Sequence, residues 1–234
     1  MKAIFVFAHP DDESFSSAGT IAKLTKKGVV VKLITATRGE SGQVGNPPIT
    51  TFENLGKVRE KELKNAAKIL GISHVYFLGY KDGTLSGISL GEIGRKILKI
   101  LKEEKPDIVV TFNKEGGSRH PDHIKMHRAA NFAFKKYMKN VGKTVRLYNT
   151  AIPRNFIKKL KQLGMMYSAY GEIKGTPSSQ ISTVVDISKT VDKKVKALIS
   201  HKTQHQDWER YLKRKGHEEF KFEFFKLVME NDIV

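Results

Sequence analysis

The sequence predicts an α/β fold: a doubly wound, mostly parallel sheet flanked by helices, with a C-terminal α+β extension. Three observations predict it. Apolar runs of six to eight residues alternate with longer stretches of helical spacing. Glycine or proline punctuates most of the joints between them. The chain has 234 residues, 39% of them apolar, which suits one α/β domain with a sizeable core.

The elements follow in order. Residues 3–8 (AIFVFA) end at His9-Pro10 and read as a buried strand. Residues 16–27 carry Ile21 and Leu24 on a helix that Gly28 stops. Residues 29–36 (VVVKLITA) are a second strand, and 37–51, with Gly39, Gly42, Gly45, Pro47 and Pro48, are a loop. A helix over 53–70 ends at Gly71, and 73–78 is the third strand. A helix over 89–104 stops before Pro106, and 107–112 (DIVVTF) is the fourth strand. A helix over 121–139 and a fifth strand over 144–149 complete the alternation. Later signals are weaker: a helix over 154–164, a strand over 181–186, one or two helices over 188–214 and a mixed tail over 217–229. With no repeat, linker or low-complexity tract, residues 1–234 are expected to form a single domain whose last third caps or flanks the sheet.

Composition excludes several functions. There is no cysteine, so disulfides, thiolate metal sites and cysteine nucleophiles are ruled out, and any metal must sit on His, Asp or Glu. The apolar run after Lys2 is too short for a signal peptide or a membrane span, so a cytoplasmic protein without a membrane anchor is expected. Net charge is +18, from 42 basic and 24 acidic residues. An anionic partner such as nucleic acid would use that charge, but so would a solvated, heat-adapted surface. The lysines are dispersed and no nucleic-acid motif accompanies them, which disfavours a basic nucleic-acid-binding module.

In a 3-2-1 strand order with strand four beside strand one, ligands bind where the carboxyl ends of strands one and four meet. A dinucleotide site would show G-x-G-x-x-G there. This chain instead has His9-Pro10-Asp11-Asp12-Glu13-Ser14 after strand one, and Asn113 to Arg119 followed by His120-Pro121-Asp122-His123 after strand four. Catalytic zinc takes three protein ligands and leaves one position open, and His9, Asp12 and His123 supply two nitrogens and one oxygen. Asp11 can take a proton from an activated water, and His120 as an imidazolium can stabilise an oxyanion or protonate a leaving amine. Taken singly these residues have plainer roles: an Asp-Asp pair caps a helix, and His-Pro makes a turn. His123/His127 and His201/His205 also have ligand spacing at i,i+4, but the second of each pair reads as a surface histidine.

Ala8-His9-Pro10-Asp11-Asp12-Glu13 with Gly19-Thr20, and His120-Pro121-Asp122-His123, resemble the two signatures of the LmbE-like/PIG-L N-acetylglucosaminyl deacetylases. Thr37-Arg38-Gly39-Glu40, Arg59-x-x-Glu62, Gly79-Tyr80-Lys81-Asp82-Gly83 and His201-Lys202-Thr203-Gln204 resemble weaker family features, and Phe225-Lys226-Leu227-Val228 resembles the family's terminal strand. The resemblance implies a Rossmann-like fold and Zn2+ or another divalent metal on His9, Asp12 and His123, with Asp11 as general base and His120 as oxyanion stabiliser or acid. It implies that Arg59 positions substrate, against the alternative of an i,i+3 ion pair with Glu62. Asp82 is expected either to orient His120 beside the substrate or to be a turn acid. Arg38 and Glu40 make a loop salt bridge or touch substrate, and His201 and Gln204 close the C-terminal part on the core. The implied substrate is a small amino sugar, first a chitin-derived N-acetylglucosamine or its disaccharide, as in archaeal-type diacetylchitobiose deacetylases. The alternative is a glucosaminide of bacillithiol-type thiol biosynthesis. A homo-oligomer is expected, as similar enzymes are commonly oligomeric.

Overall fold

A computed structural model describes residues 1–162 and 168–231. One seven-stranded sheet runs through it in the order β3-β2-β1-β4-β5-β7-β6. Strands β1 (Lys2–Phe7), β2 (Val30–Thr35), β3 (His74–Phe77), β4 (Ile108–Thr111) and β5 (Arg146–Ala151) are parallel. β1 is central, and Ala3 to Phe7 are all buried because helices cover both faces of a parallel sheet. The expected 3-2-1-4 order holds, so the ends of β1 and β4 are neighbours.

Two short helices, α1 (Asp12–Ser16) and α2 (Ala18–Lys26), follow β1 where one was expected. Helix α3 (Phe52–Leu70) buries Leu55, Arg59, Glu62, Leu63, Ala66 and Leu70 along one stripe. Two charged residues on that inward stripe are unusual and matter below. Helices α4 (Leu90–Glu104) and α5 (Pro121–Tyr137) pack against each other where Gly94 meets the Phe132 ring. No helix among the described residues is long and apolar enough to cross a membrane.

The last third is where the sequence was least explicit. Helix α6 (Arg154–Gln162) matches the expected 154–164 as far as 162, and residues 163 and 164 lie outside the described residues. Strand β6 (Thr183–Asp186), α7 (Val191–Ser200) and α8 (His205–Leu212) follow. The tail expected to be mixed holds β7 (Phe222–Glu230), which inserts antiparallel between β5 and β6. Alternating burial at its start puts Glu223 inside the protein.

Glu223 ties this region to the N-terminal half. Its carboxylate accepts the backbone N–H groups of Gly19 (3.0 Å) and Thr20 (2.7 Å), two of the amides that the start of α2 leaves unpaired. It also pairs with the buried Lys194 ammonium of α7 at 2.7 Å. Burial disfavours the Lys194 charge, but Glu223 and Tyr211 outweigh it and raise its pKa. Glu223→Ala would strand that ammonium and reopen both amides. We expect it to cost about 3–5 kcal/mol in urea denaturation, whereas a loss below about 1 kcal/mol would put the pair on the level of a surface ion pair.

Candidate active site

Loops after β1, β2, β3 and β4 meet at the carboxyl edge of the sheet around a cavity of about 650 Å³. His9, Asp11, Asp12, Arg59, Asp82, His120 and His123 all line it, so every residue singled out for a site reaches one space.

The turn after β1 folds back on itself. Asp12 Oδ2 accepts the backbone N–H groups of Ala8 (3.1 Å) and His9 (2.8 Å), which turns Oδ1 towards His123 Nε2 at 3.2 Å. His9 Nδ1 lies 3.0 Å from His123 Nε2 and 3.7 Å from Asp12 Oδ2. Each ring is held from behind. His123 Nδ1 donates to the Gly116 carbonyl at 2.9 Å, leaving the Nε2 lone pair facing inward. Gly116 is at φ +68°, and a Cβ there would lie 2.7 Å from that of His123. The His123 ring stacks on Phe112, with centroids 4.3 Å apart. His9 Nε2 faces Asp82 Oδ1 at 2.8 Å and Asp122 Oδ2 at 3.4 Å, which leaves Nδ1 for His123.

Asp82 therefore orients His9 and not His120, correcting the expectation from sequence. Burial favours its neutral form, but the His9 ring holds its pKa down at about 2. Asp122 had been given no role of its own. It is fully buried, accepts N–H groups from Gly83 (2.8 Å) and Leu85 (3.1 Å), and reaches His9. An acid in the first turn of a helix ordinarily answers the helix dipole, so nothing in its spacing set it apart.

His120 caps α5: its Nδ1 accepts the Asp122 N–H at 3.1 Å. The ring proton is therefore on Nε2. Burial and the neighbouring His123 and His9 push its pKa down to about 4. That shift favours a neutral hydrogen-bond donor over the imidazolium expected. A Tyr170 ring packs edge-on to it at 4.7 Å.

Asp11 sits at φ +113°, in the left-handed region that a non-glycine residue occupies only under constraint. Its Oδ2 accepts Arg59 Nη2–H at 2.9 Å. Arg59 also donates to the carbonyls of Pro10 and, at 2.9 Å, Gly39. Glu62 turns to Thr203 instead, so the alternative of an Arg59–Glu62 pair along α3 is not what forms. Burial lifts the Asp11 carboxyl, Arg59 opposes it, Asp12 adds to it, and the result is about 7. Arg38 pairs with Glu60 of α3, and Glu40 accepts the Asp82 N–H at 3.2 Å, so the two do not bridge each other. His127 is half-buried on the Phe112 carbonyl, not a surface histidine.

Among the described residues, two sets of side chains bring ligand atoms within 4.8 Å: His9, His120 and His123, and His9, Asp82 and Asp122. In the first set His120 has its lone pair committed to the cap, and in the second Asp82 and Asp122 both face the Nε2–H edge of His9. His9 Nδ1 and His123 Nε2 lie 3.0 Å apart, with Asp12 Oδ1 3.2 Å from the second and Asp12 Oδ2 3.7 Å from the first; two nitrogens and a carboxylate are a donor set that fits zinc.

Comparison with known proteins agrees with this architecture. Residues 4–134, just over half of the chain, match the PIG-L family profile, described as GlcNAc-PI de-N-acetylase. The chain belongs to the PIG-L family. It is 32% identical over 86% of its length to the 1D-myo-inositol 2-acetamido-2-deoxy-α-D-glucopyranoside deacetylase of Saccharomonospora viridis, covering 84% of that protein. It is 46% identical to a probable N-acetyl-α-D-glucosaminyl L-malate deacetylase of Bacillus anthracis over 121 residues, 51% of this chain and 53% of that one. In fold it is similar to the N,N'-diacetylchitobiose deacetylase of Pyrococcus horikoshii, with a TM-score of 0.69 at 23% identity over 97% of this chain and 83% of that one. All seven lining residues named above fall within the stretch that matches the PIG-L family.

The ring geometry makes a prediction for the metal-free protein. Burial and the His9 charge push the His123 pKa down to about 3. Imidazole nitrogen NMR should find His123 neutral, with its proton on Nδ1, from pH 8 to below pH 5. A ring that titrates near 6.5 would contradict the geometry.

Proposed function

We propose that this PIG-L family member is a metal-dependent hydrolase that removes the N-acetyl group from N-acetylglucosamine-type sugars. The observation that carries the reading is the convergence of His9, Asp12 and His123 beside an Asp11–Arg59 pair, all in one cavity.

His9, Asp12 and His123 would hold the metal. When bound, zinc supplies Lewis acidity, which acidifies water and polarises a carbonyl oxygen. Asp11 takes the proton of the attacking water on its carboxylate and gives it to the amine nitrogen as the C–N bond breaks and acetate departs, and Arg59 keeps that carboxylate aimed and favours its charged form. His120 donates its Nε2–H to the amide oxygen as negative charge builds there, and the cap on α5 fixes the direction of that donor. Asp82 and Asp122 keep the His9 ring from rotating.

For the sugar, the relatives weigh towards the alternative over chitin fragments. The names of the sequence relatives describe α-linked N-acetylglucosamine on a small polyol or hydroxy acid. The likeness to the chitobiose deacetylase, at 23% identity, speaks only to fold. An α-linked glucosaminide with a small polar aglycone is therefore the substrate we propose, with the chitin disaccharide as the comparison.

Acetate release should be measured on N-acetylglucosamine, diacetylchitobiose, and the inositol and malate glucosaminides, with zinc-loaded and chelator-stripped protein in parallel. We expect release only with metal, and faster release from the α-glucosaminides than from the disaccharide. Undiminished release after metal removal would sink the mechanism. Asp11→Asn should keep its zinc and lose roughly 10²-fold or more in kcat; loss of the zinc as well would move Asp11 from the base to the ligand set.

A further inference from the structure

Several buried polar groups take no part in the chemistry above, and three of them lie in one short turn. His201 ends α7, and residues 202–204 form a single 3-10 turn before α8. Neither His201 nor Thr203 lines the cavity. Their contacts nonetheless lead to the Asp11–Arg59 pair from three sides.

The first side is Glu13. Its Oε2 accepts the Asp11 backbone N–H at 3.2 Å, the peptide group that sets the left-handed φ of Asp11. Its Oε1 lies 3.0 Å from His201 Nε2 and accepts the Ser14 hydroxyl. Glu13 and His201 are each only 1% exposed. The second side is α3. The Glu62 carboxylate accepts both the Thr203 N–H (2.8 Å) and the Thr203 hydroxyl (2.7 Å), one residue short of a turn from Arg59. The third side is the loop over the guanidinium. Gln204 donates to the Gln43 carbonyl at 2.8 Å and accepts the Gln43 N–H at 3.3 Å, beside Gly42, where a Cβ would lie 2.4 Å from Arg59 Nη1. From outside, Trp208 Nε1–H donates to the His201 carbonyl at 3.1 Å and fixes the turn itself.

A buried ion pair such as Glu13–His201 adds little net stability over apolar packing, because desolvation offsets most of the attraction. It does fix an arrangement. A left-handed non-glycine residue is strained and persists only where its surroundings over-determine it. Here those surroundings are Glu13 on the backbone and Arg59 on the side chain; the turn bonds Glu13 directly through His201, and reaches Arg59 through Glu62 of the same helix and the Gly42–Gln43 loop over the guanidinium.

We propose that the turn His201–Gln204 is a positioning clamp for the Asp11–Arg59 pair. His201 and Thr203 are positioning residues: they act on the rate of the hydrolysis through Asp11 and Arg59, and leave sugar and metal binding unchanged. The inference rests on Asp11 being the base.

Three variants test it: His201→Leu, His201→Gln and Thr203→Val. Each is measured for zinc content, for kcat and KM in acetate release on the best substrate, and for hydrogen exchange of the Asp11 amide. In His201→Leu we expect kcat to fall at least about tenfold, with KM within about threefold, zinc retained, and faster exchange at Asp11. His201→Gln, whose amide still donates to Glu13, should recover most of the kcat and the protection. Thr203→Val, which keeps its N–H, should lower kcat less and leave the Asp11 amide protected. Should His201→Leu not fold, the Gln and Val variants carry the test. Unchanged kcat and Asp11 exchange in the leucine variant would overturn the clamp. So would a glutamine variant as impaired as leucine, or a change confined to KM. If the wild-type protein releases no acetate at all, the deacetylase reading fails, while the Asp11 exchange still decides whether the turn holds that residue.

Discussion

Nδ1 of His9 and Nε2 of His123 face each other across 3.0 Å, and two neutral imidazoles cannot share that gap with both lone pairs turned inward. Either a ring N–H fills the gap or a bound cation does. Without a metal it is a proton: burial disfavours the His9 charge, yet Asp122, Asp82 and Asp12 outweigh it and lift the ring to about 10. Much of the surrounding polar structure serves to enforce that confrontation. The Gly116 carbonyl holds one ring from behind, and Asp82 with Asp122 holds the other. Asp122 is itself tied to the amides of Gly83 and Leu85, so the loop after β3 is part of the same device.

A second layer of buried charge fixes how the C-terminal third sits on this site. Glu223–Lys194 and Glu13–His201 are wholly interior ion pairs joining residues far apart in sequence. Such pairs contribute little to stability compared with apolar contacts of the same size, but they tolerate few alternative arrangements. The first fastens β7 and α7 to the start of α2, and the second fastens the end of α7 to the loop that carries Asp11.

The five parallel strands were legible because each is a short apolar run between helical stretches, and AIFVFA in particular can hardly be anything but a central strand. The strand order followed from general topology, and with it the meeting of the two histidine-rich loops. What was not legible is pairing at a distance. Residue spacing cannot say whether Asp82 reaches His9 or His120, since both loops end at the same crevice. Arg59 and Glu62 fall on the apolar stripe of α3, so their inward direction was open to view, yet their i,i+3 spacing suggested that they pair with each other. The resemblance implied a terminal strand at Phe225–Val228, and β7 covers it, but its place between β5 and β6 depends on antiparallel contacts made across the chain. The 3-10 turn at residues 202–204 carries no periodic signal at all.

The tie between Glu223 and the start of α2 spans 204 positions, and it has a consequence for how the protein is made. β1, with His9 to Glu13 behind it, is synthesised long before Glu223 and residues 201–204. The amides of Gly19 and Thr20 then wait for a carboxylate near the far end of the chain, and Asp11 waits for residues 201–204. A nascent chain that ends at Ser200 would hold His9, Asp11, Asp12, His120 and His123 and still lack the residues that brace the Asp11 loop. Long-range closure of this kind is slow to form. The crevice would thus ripen only once residues 201–223 have been made, which would keep shorter nascent chains idle.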